Sequence, residues 1–271
     1  MKNMGIQIIR SKLGFRNQVI IRNEQEYLFP RSIQTLQTTS QVNPECFALI
    51  QDQPLISQTG IAEFRASSAV SMNQLFNGQG DFFSLHKKVF VEGLKGMDAR
   101  KVLSHLYNVN EAQNGRGVLY DANGNLIEGN RLEEYANRLN NECWAYVNGH
   151  FQLSENKEQE GFRGLDLLTI VNYHKGKPIF TKTPLEPCLE FDCLADITPE
   201  SLNSQGFPTK RAPTKKYEAG KTAYFWYPRN GAVTRLVSYS NMTGFYCIKY
   251  PSKNYDLLGI LASIEEKEIE K

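Results

Sequence analysis

The sequence predicts an α+β domain in which the helices precede a final group of antiparallel strands. The first observation is a helical spacing of apolar residues within 81–107 and 130–141, and the second is four strand-like runs between 222 and 264. The third is the amino-acid composition: 41% of the 271 residues are hydrophobic. That is enough for one large core, or for one core with an extension.

Residues 1–75 differ from the rest, because short β-branched or apolar runs alternate there with Gly, Asn and Pro. The runs are IQIIR, QVIIRN and CFALIQ. This pattern is typical of strands separated by turns. We therefore expect a β-rich N-terminal segment over 1–75 that forms an accessory domain or an oligomerisation surface. The main domain is expected over 76–264, and a charged tail over 265–271.

The first helical pattern lies between residues 81 and 107. Its apolar positions are Phe82, Leu85, Val89, Leu94, Val102 and Leu106. Gly93 and Gly96 are expected to divide the pattern into two pieces, and Met97-Asp98 is expected to cap the second piece.

A hairpin and a further helix are expected next. VLYDANGNLIEG (118–129) has two short apolar arms around Asn123-Gly124, which is a strong signal for a two-residue type I′ turn. The helix is expected over 130–141, with Leu132, Tyr135, Ala136 and Leu139 on one face. CWAYV (143–147) is expected to be a strand.

The pattern weakens from residue 150 to residue 220, where Gly, Pro, Asn and charged residues dominate. LDLLTIV (165–171) and PIFTKT (178–183) are the ordered candidates in this region. A stretch of this length with little periodicity is uncommon in a compact domain, so it is either packed irregular loop or a set of insertions. The strand candidates that follow are TAYFWY (222–227), AVTRLVSY (232–239), GFYCIKY (244–250) and LLGILASI (257–264).

The charge and the cysteine content narrow the class of protein. With 31 basic and 29 acidic residues the formal net charge is +2, which gives no support to a general nucleic-acid binder. Nothing approaches the ~18 consecutive apolar residues of a membrane span, and no signal peptide is recognised. Because five cysteines are an odd and sparse set for a chain of this length, we expect free thiols in a reducing compartment. We therefore expect a cytoplasmic or virion-associated protein.

Two short motifs resemble ligand loops but depart from them. Ala219-Gly-Lys-Thr222 resembles the end of a phosphate-binding loop, yet Lys215 stands where that loop needs its first glycine. Asp121-Ala-Asn-Gly-Asn125 resembles the front of a calcium loop, yet Leu132 stands at the place of the final glutamate. A hairpin explains the second motif better.

The remaining candidates for chemistry are scattered. His86 and His105 are expected on helix flanks, and none of the four histidines has a partner at metal-like spacing. Cys188 and Cys193 are interpreted as idle thiols rather than a redox pair. A zinc site assembled by the fold stays an alternative, but no metal and no cofactor are expected. The basic stretch over 210–221 is interpreted as a solvated loop rather than a phosphate-binding face.

The segment FWYPRNGAVTRLVSYSNMTGFYCIKYPSKNYDLLGILA (225–262) carries a family resemblance. Its frame consists of Tyr227-Pro228-Arg229, Val233, Ser240, Cys247, Pro251 and the closing run 258–262. This frame resembles the C-terminal part of C-type-lectin-fold proteins, in particular the variable ligand-binding proteins of diversity-generating retroelements. Formylglycine-generating sulfatase-modifying enzymes share the fold. Leu261 stands where arginine is usual in the family.

The resemblance implies a C-type-lectin-like domain with two helices, long irregular loops and late antiparallel strands. It also implies that buried frame residues hold a variable surface that binds a protein or another macromolecule. Val237, Phe245, Leu258, Ile260 and Ala262 are expected in the core. The contact residues implied are Tyr239, Asn241, Gly244, Tyr246, Ile248, Tyr250, Ser252, Tyr255 and Asp256. Tyrosine suits such a surface because it gives large contact area at low entropic cost.

Three alternatives remain beside the binding hypothesis. In the first, the tyrosines of 237–256 only cover a core, as ordinary residues of a two-faced strand. In the second, the chain is an enzyme whose site forms in the loops 150–220; the residues that would converge are His150, His174, Asp166 and Glu190. In the third, it is a structural phage or host assembly protein. The cysteine pair of the formylglycine-generating enzymes is incomplete, because Met242 stands five residues before Cys247. We therefore expect a binding protein without catalytic residues.

Overall fold

The computed structural model describes most of the chain after residue 77 and parts of the chain before it. The described residues are 18–21, 47–50, 54–56, 62–65, 68–71, 75, 78–121, 125–156, 158, 160–240, 242–249, 251–252 and 258–265. Three α-helices and seventeen β-strands lie within these residues, which confirms the α+β class.

The helices are α1 (Phe82–Val91), α2 (Ala99–Gln113) and α3 (Gly129–Asn141). The two helices implied by the family resemblance are therefore too few for the described chain, whereas the break expected near Gly93 and Gly96 is confirmed, because it separates α1 from α2. Asp81 and Asp98 cap these two helices, accepting hydrogen bonds from Ser84 N at 2.8 Å and Lys101 N at 2.9 Å. The cap predicted at Met97-Asp98 is confirmed.

One large sheet forms the centre of the molecule. Its strands are β9 (Trp144–Leu153), β10 (Leu165–His174), β11 (Lys177–Pro184), β12 (Cys193–Asp196), β13 (Thr222–Trp226), β14 (Ala232–Tyr239), β15 (Met242–Lys249) and β16 (Gly259–Ile260). The order across the sheet is β11-β10-β9-β14-β15-β13-β12, and β16 pairs with β9. Most neighbours are antiparallel, but β13 runs parallel to β15 and β16 runs parallel to β9.

Smaller sheets contain the N-terminal strands. Strands β1 (Gln18–Ile21), β4 (Ala62–Arg65) and β3 (Pro54–Ile56) form one, and β2 (Phe47–Ile50), β5 (Ser68–Ser71), β17 (Ala262–Glu265) and β6 (Lys95–Gly96) form another. QVIIRN and CFALIQ thus contain strands, whereas IQIIR lies outside the described residues. Because β2 and β5 share a sheet with β6 and β17, strands on both sides of the boundary at residue 75 pair with each other. That boundary stays a prediction.

The expected hairpin is confirmed, but its register differs from the prediction. Strands β7 (Leu119–Tyr120) and β8 (Leu126–Ile127) are antiparallel, and Asp121 N donates to Asn125 O at 2.8 Å. The pairing of Tyr120 with Leu126 differs by one residue from the register of a two-residue loop, and the turn residues 122–124, on which the type I′ prediction falls, lie outside the described residues. The buried Asp121 carboxylate accepts from Asn125 N at 2.9 Å and from Arg131 Nη1 at 3.0 Å.

The region 150–220 has two parts. The first is a regular hairpin of β10 and β11 joined at Lys175-Gly176, where both residues have positive φ. The second, residues 185–221, is mostly irregular but packed. Phe207 has no exposed surface, and its ring lies 5.5 Å from Phe151 and 6.1 Å from Phe245. This part is therefore a packed loop that covers the sheet. Of the two alternatives predicted for this region, packed irregular loop describes residues 185–221.

The sheet carries a core on each face. On one face, called the inner face, the sheet packs against α2, α3 and the packed loop. On the other, called the outer face, α1 packs on Tyr146, Ile170 and Val233 through Phe82 and Leu85. Among the described residues, none of the helices is both long and apolar enough to cross a membrane.

Candidate binding surface

The outer face of β9, β14, β15 and β13 presents a row of large side chains. Successive residues of a strand point to opposite faces, and paired residues of neighbouring strands point to the same face. Arg235 of β14 lies opposite Tyr146 of β9 and Tyr246 of β15, and Tyr246 in turn lies opposite Trp226 of β13. These four side chains therefore share the outer face.

Helix α1 covers only part of this face. The Phe82 ring meets the Tyr146 ring edge-on at 5.6 Å, and Phe83 approaches His150 at 5.9 Å and Phe180 at 6.4 Å. These contacts lie over β9, β10 and β11. None of the described helices packs on the outer face of β13 and β15.

Five aromatic side chains occupy the part of the outer face beside α1. We call them the aromatic surface: Trp144, Tyr224, Trp226, Tyr239 and Tyr246. Trp226 and Tyr246 are stacked, with ring centroids 4.0 Å apart and planes at 20°. Tyr224 lies 6.4 Å from Trp226, and Trp144 lies 6.1 Å from Tyr239. Tyr239 is 39% exposed and the other four are half-buried, so all five keep surface that a partner can reach.

The absence of a side chain at Gly244 leaves the space that the Tyr246 ring occupies. A Cβ atom added to Gly244 would lie 2.1 Å from Cε2 of Tyr246 and 2.6 Å from its hydroxyl. The ring therefore lies over the bare backbone of Gly244, which is buried. In this arrangement Tyr246 presents the contact area, and Gly244 positions it.

Between the aromatic rings lie Val237, Met242 and Arg235. Val237 and Met242 are half-buried, so the expectation that Val237 belongs to the core is wrong. The reason is that Val237 points to the outer face, beyond the part that α1 covers. Arg235 is only 5% exposed, and its guanidinium lies 5.0 Å from the centre of the Tyr146 ring.

The inner face of the same strands is closed. Phe225, Phe245 and Cys247 have no exposed surface, and the rings of Phe225 and Phe245 are stacked 6.5 Å apart. Where β14 ends and β15 begins, the hydroxyl groups on the inner face are hydrogen-bonded. Thr243 Oγ1 lies 2.9 Å from the Tyr217 hydroxyl and 3.1 Å from Ser238 Oγ. Phe245, Leu258, Ile260 and Ala262 are buried as predicted.

The hydroxyl of Tyr246 stays protonated over the physiological range. Partial burial, with a smaller contribution from Tyr239, raises the pKa of Tyr246 to about 12. The aromatic surface therefore offers a neutral hydroxyl that both donates and accepts hydrogen bonds.

The predicted contact residues fall into three groups. Tyr239 and Tyr246 lie on the aromatic surface, and Ser252 is exposed in the turn after β15. Gly244 is buried beneath the Tyr246 ring, and the backbone of Ile248 belongs to β15. Four lie outside the described residues: Asn241, Tyr250, Tyr255 and Asp256.

Sequence reasoning missed three members of the aromatic surface: Trp144, Tyr224 and Trp226. The alternation in TAYFWY places Tyr224 and Trp226 on one side of a strand, and that signal could have been used. What the sequence does not reveal is the parallel pairing that sets Trp226 beside Tyr246.

The four residues of the enzyme alternative do not converge. Asp166 and His174 lie at opposite ends of β10, eight residues and so about 26 Å apart at roughly 3.3 Å per residue. Asp166 is buried and paired with Lys182 Nζ at 3.1 Å, while His174 is exposed. His150 is surrounded by Phe83 and Phe180.

The histidines of the helices are not on exposed flanks. His86 and His105 lie in α1 and α2, as expected, and each is only 3% exposed. Burial lowers the pKa of His86 to about 3 and that of His105 to about 4, so both are neutral at physiological pH. His105 Nε2 is hydrogen-bonded to the Tyr135 hydroxyl between α2 and α3.

The described cysteines are free thiols, namely Cys143, Cys188, Cys193 and Cys247. Burial raises the pKa of Cys143 and of Cys188 to about 12, and it also raises the pKa of Cys193. These thiols are therefore protonated and weakly nucleophilic. Within the described ranges, no group of three or more His, Cys, Asp or Glu residues is arranged to hold a metal ion.

No family model, curated protein or solved structure matches the chain.

Proposed function

We propose that the protein is a binding protein that recognises a protein ligand through the aromatic surface. The observation that carries this proposal is that two tryptophans and three tyrosines keep exposed area on a sheet face that no described helix covers there. Tyr and Trp are enriched among the residues that dominate binding energy in protein interfaces. Trp226 and Tyr246 are also fixed by stacking on each other, and the Tyr246 ring packs over the Gly244 backbone. Little side-chain entropy is therefore lost when a partner binds.

The finer proposal is a C-type-lectin-like domain of the variable-protein type. Two facts support it: Cys247 of the frame and the predicted core residue Phe245 are fully buried, while Tyr239 and Tyr246 point to the outer face. A surface of this design tolerates change at the outward positions without loss of the core. A cytoplasmic or virion-associated location belongs to the same proposal, supported by the free thiols.

The binding proposal is tested by selecting ligands from a displayed library of small protein domains against the whole chain. Each selected ligand is then measured against the Trp226→Ala and Tyr246→Ala variants. We expect each replacement to lower affinity by about thirty-fold or more, which corresponds to about 2 kcal/mol at 25 °C, the size of an interface hot spot.

The matched controls are Leu153→Ala and Val91→Ala. Leu153 is 58% exposed and Val91 is 73% exposed, and neither belongs to the aromatic surface. They remove exposed apolar area elsewhere on the molecule. Ligands whose affinity falls for the controls but not for the aromatic variants would overturn the proposal, provided that all variants keep the wild-type circular dichroism.

Diversification of the surface is tested in the DNA. We expect a reverse transcriptase gene nearby and a near-copy of the final stretch of coding sequence, with mismatches at adenines of that copy. A complete genomic neighbourhood that lacks both would overturn the diversification proposal and leave the binding proposal standing.

A further inference from the structure

Four polar groups of the aromatic surface have no hydrogen-bond partner in the described chain. They are the indole N–H of Trp226 and the hydroxyls of Tyr224, Tyr239 and Tyr246. An indole N–H only donates, and a phenol hydroxyl donates as well as accepts. Because all four side chains keep exposed area, solvent reaches these groups in the free protein. A ligand that displaces the solvent must supply hydrogen-bond acceptors in its place.

Tyrosines elsewhere in the structure use their hydroxyls to hold the fold. The Tyr173 hydroxyl donates to Phe83 O at 3.0 Å, and the Tyr217 hydroxyl lies 2.9 Å from Thr243 Oγ1. A tyrosine hydroxyl usually finds such a partner when its ring is buried. On the aromatic surface the hydroxyls lack partners within the described chain, which fits side chains whose partners belong to another molecule.

The five side chains of the aromatic surface carry no charge. Arg235, the charged residue that lies between them, is only 5% exposed, and its guanidinium lies 5.0 Å from the centre of the Tyr146 ring. Charge complementarity therefore favours a ligand segment that is itself uncharged. It disfavours a single strand of nucleic acid, because the phosphates of such a strand need lysine or arginine side chains.

The strands under the aromatic surface lie inside the sheet. Their order is β9-β14-β15-β13, with β10 and β12 beyond them on the two sides. Because these strands have neighbours on both sides, a ligand cannot join them as a further strand. A helix is poorly suited as well, since most of its carbonyl groups bond within the helix and are not available to the four polar groups.

Cross-strand pairing sets the width of the aromatic surface. One row of paired residues crosses the four strands and consists of Trp144, Val237, Gly244 and Tyr224. Three strand spacings therefore separate Trp144 from Tyr224, which is roughly 14 Å at about 4.8 Å each. The Tyr246 ring lies over Gly244 between them. A polyproline II segment of about five residues covers this distance at about 3.1 Å per residue.

We propose that the aromatic surface binds a proline-rich segment of its protein ligand in the polyproline II conformation. This inference rests on the proposed function and names the class of ligand. In that conformation the carbonyl groups form no internal hydrogen bonds and proline has no N–H, so the segment offers acceptors without competing donors. Its side chains are uncharged, and proline-rich segments dock on surfaces lined by aromatic rings.

The test adds a decamer of proline with blocked ends to the whole chain. Both tryptophans of the chain lie on the aromatic surface, so tryptophan fluorescence reports binding there. We expect a saturable change that does not depend on salt, because neither the peptide nor the aromatic surface contributes a charge. A glycine-serine decamer with blocked ends is flexible and has free N–H groups, so it should give no saturable change.

Tyr224→Phe and Tyr246→Phe each keep the ring and remove only the hydroxyl. Each should weaken binding of the proline decamer by about two- to ten-fold, the range for the loss of one hydrogen bond. The matched control is Tyr107→Phe. Tyr107 is also half-buried, and its hydroxyl has no hydrogen bond in the described chain, but it lies in α2, which packs on the inner face. Its replacement should leave binding unchanged.

Each outcome decides the inference, in variants that keep the wild-type circular dichroism. No response to the proline decamer overturns it, as does an equal response to the glycine-serine decamer or a response to a single-stranded oligonucleotide in its place. Unchanged binding in both Tyr224→Phe and Tyr246→Phe, or equal weakening in Tyr107→Phe, also overturns it. If selected domain ligands need Trp226 but the proline decamer gives no response, the inference fails while the proposed function stands.

Discussion

Phe245 and Tyr246 are neighbours in β15, yet they have opposite surroundings. Phe245 has no exposed surface and lies between Phe207 and Phe225, whereas Tyr246 is half-buried and stacks on Trp226. The two faces of the strand are equally aromatic, so ring content does not explain the difference. The difference follows from the elements that pack on each face. The packed loop and two helices close the inner face, whereas α1 closes only part of the outer face.

Apolar character alone therefore does not separate a core from a binding surface. On the inner face, large side chains fill space and their loss leaves a cavity. On the outer face, similar side chains cover backbone and one another while keeping area for a partner.

Phe245→Ala should lower the free energy of unfolding by about 3–5 kcal/mol, because a fully buried ring is replaced by a cavity. Tyr246→Ala should lower it by roughly 1 kcal/mol or less, since the half-buried ring leaves solvent-filled space. Urea unfolding of both variants measures the difference. Equal losses would show that the outer face is also closed.

Gly244→Ala should lower the free energy of unfolding by about 1–3 kcal/mol, because the new methyl group meets the Tyr246 ring and forces it to move. Tryptophan emission should change as well, since Trp226 stacks on that ring. In a Tyr246→Ala background the same replacement should have little effect on stability. A loss that persists in that background would place the clash elsewhere.

The smallest effect concerns pH. The pKa of Tyr246 is about 12 in the folded chain, above its ordinary value of 10. The neutral hydroxyl is therefore favoured by folding, so this contribution to stability is present below pH 10 and is lost as pH rises through about 12. The difference in unfolding free energy between the wild type and Tyr246→Phe should change over this window. A constant difference would contradict the partial burial of Tyr246.

Local signals predicted much of the fold. The start of the helical pattern at residue 81, the cap at Asp98 and the strands β13, β14 and β15 follow from residue spacing within short segments. The register of the hairpin was not predicted: Tyr120 pairs with Leu126, and the buried Asp121 carboxylate binds Arg131 of α3, a contact that the local pattern does not report. The weak periodicity after residue 185 did not predict that this segment forms a packed layer. The layer is fixed by tertiary contacts such as that of Phe207 with Phe151.

The candidate site was only half predictable. Tyr239 and Tyr246 were expected from the family resemblance, and both lie on the aromatic surface. Trp144 and Trp226 reach that surface through pairing between distant strands, and no local pattern reports such pairing. The extent of α1 over the outer face likewise depends on tertiary packing, which is why Val237 was misplaced.

Acrylamide quenching of tryptophan fluorescence, with and without a selected ligand, shows whether the aromatic surface is open in the free protein and covered in the complex. The chain has two tryptophans, Trp144 and Trp226, and both lie on the aromatic surface. In the free protein acrylamide should quench both residues measurably, and a saturating ligand should protect them. Quenching that is the same in the free and bound protein would contradict the claim that this surface binds the ligand.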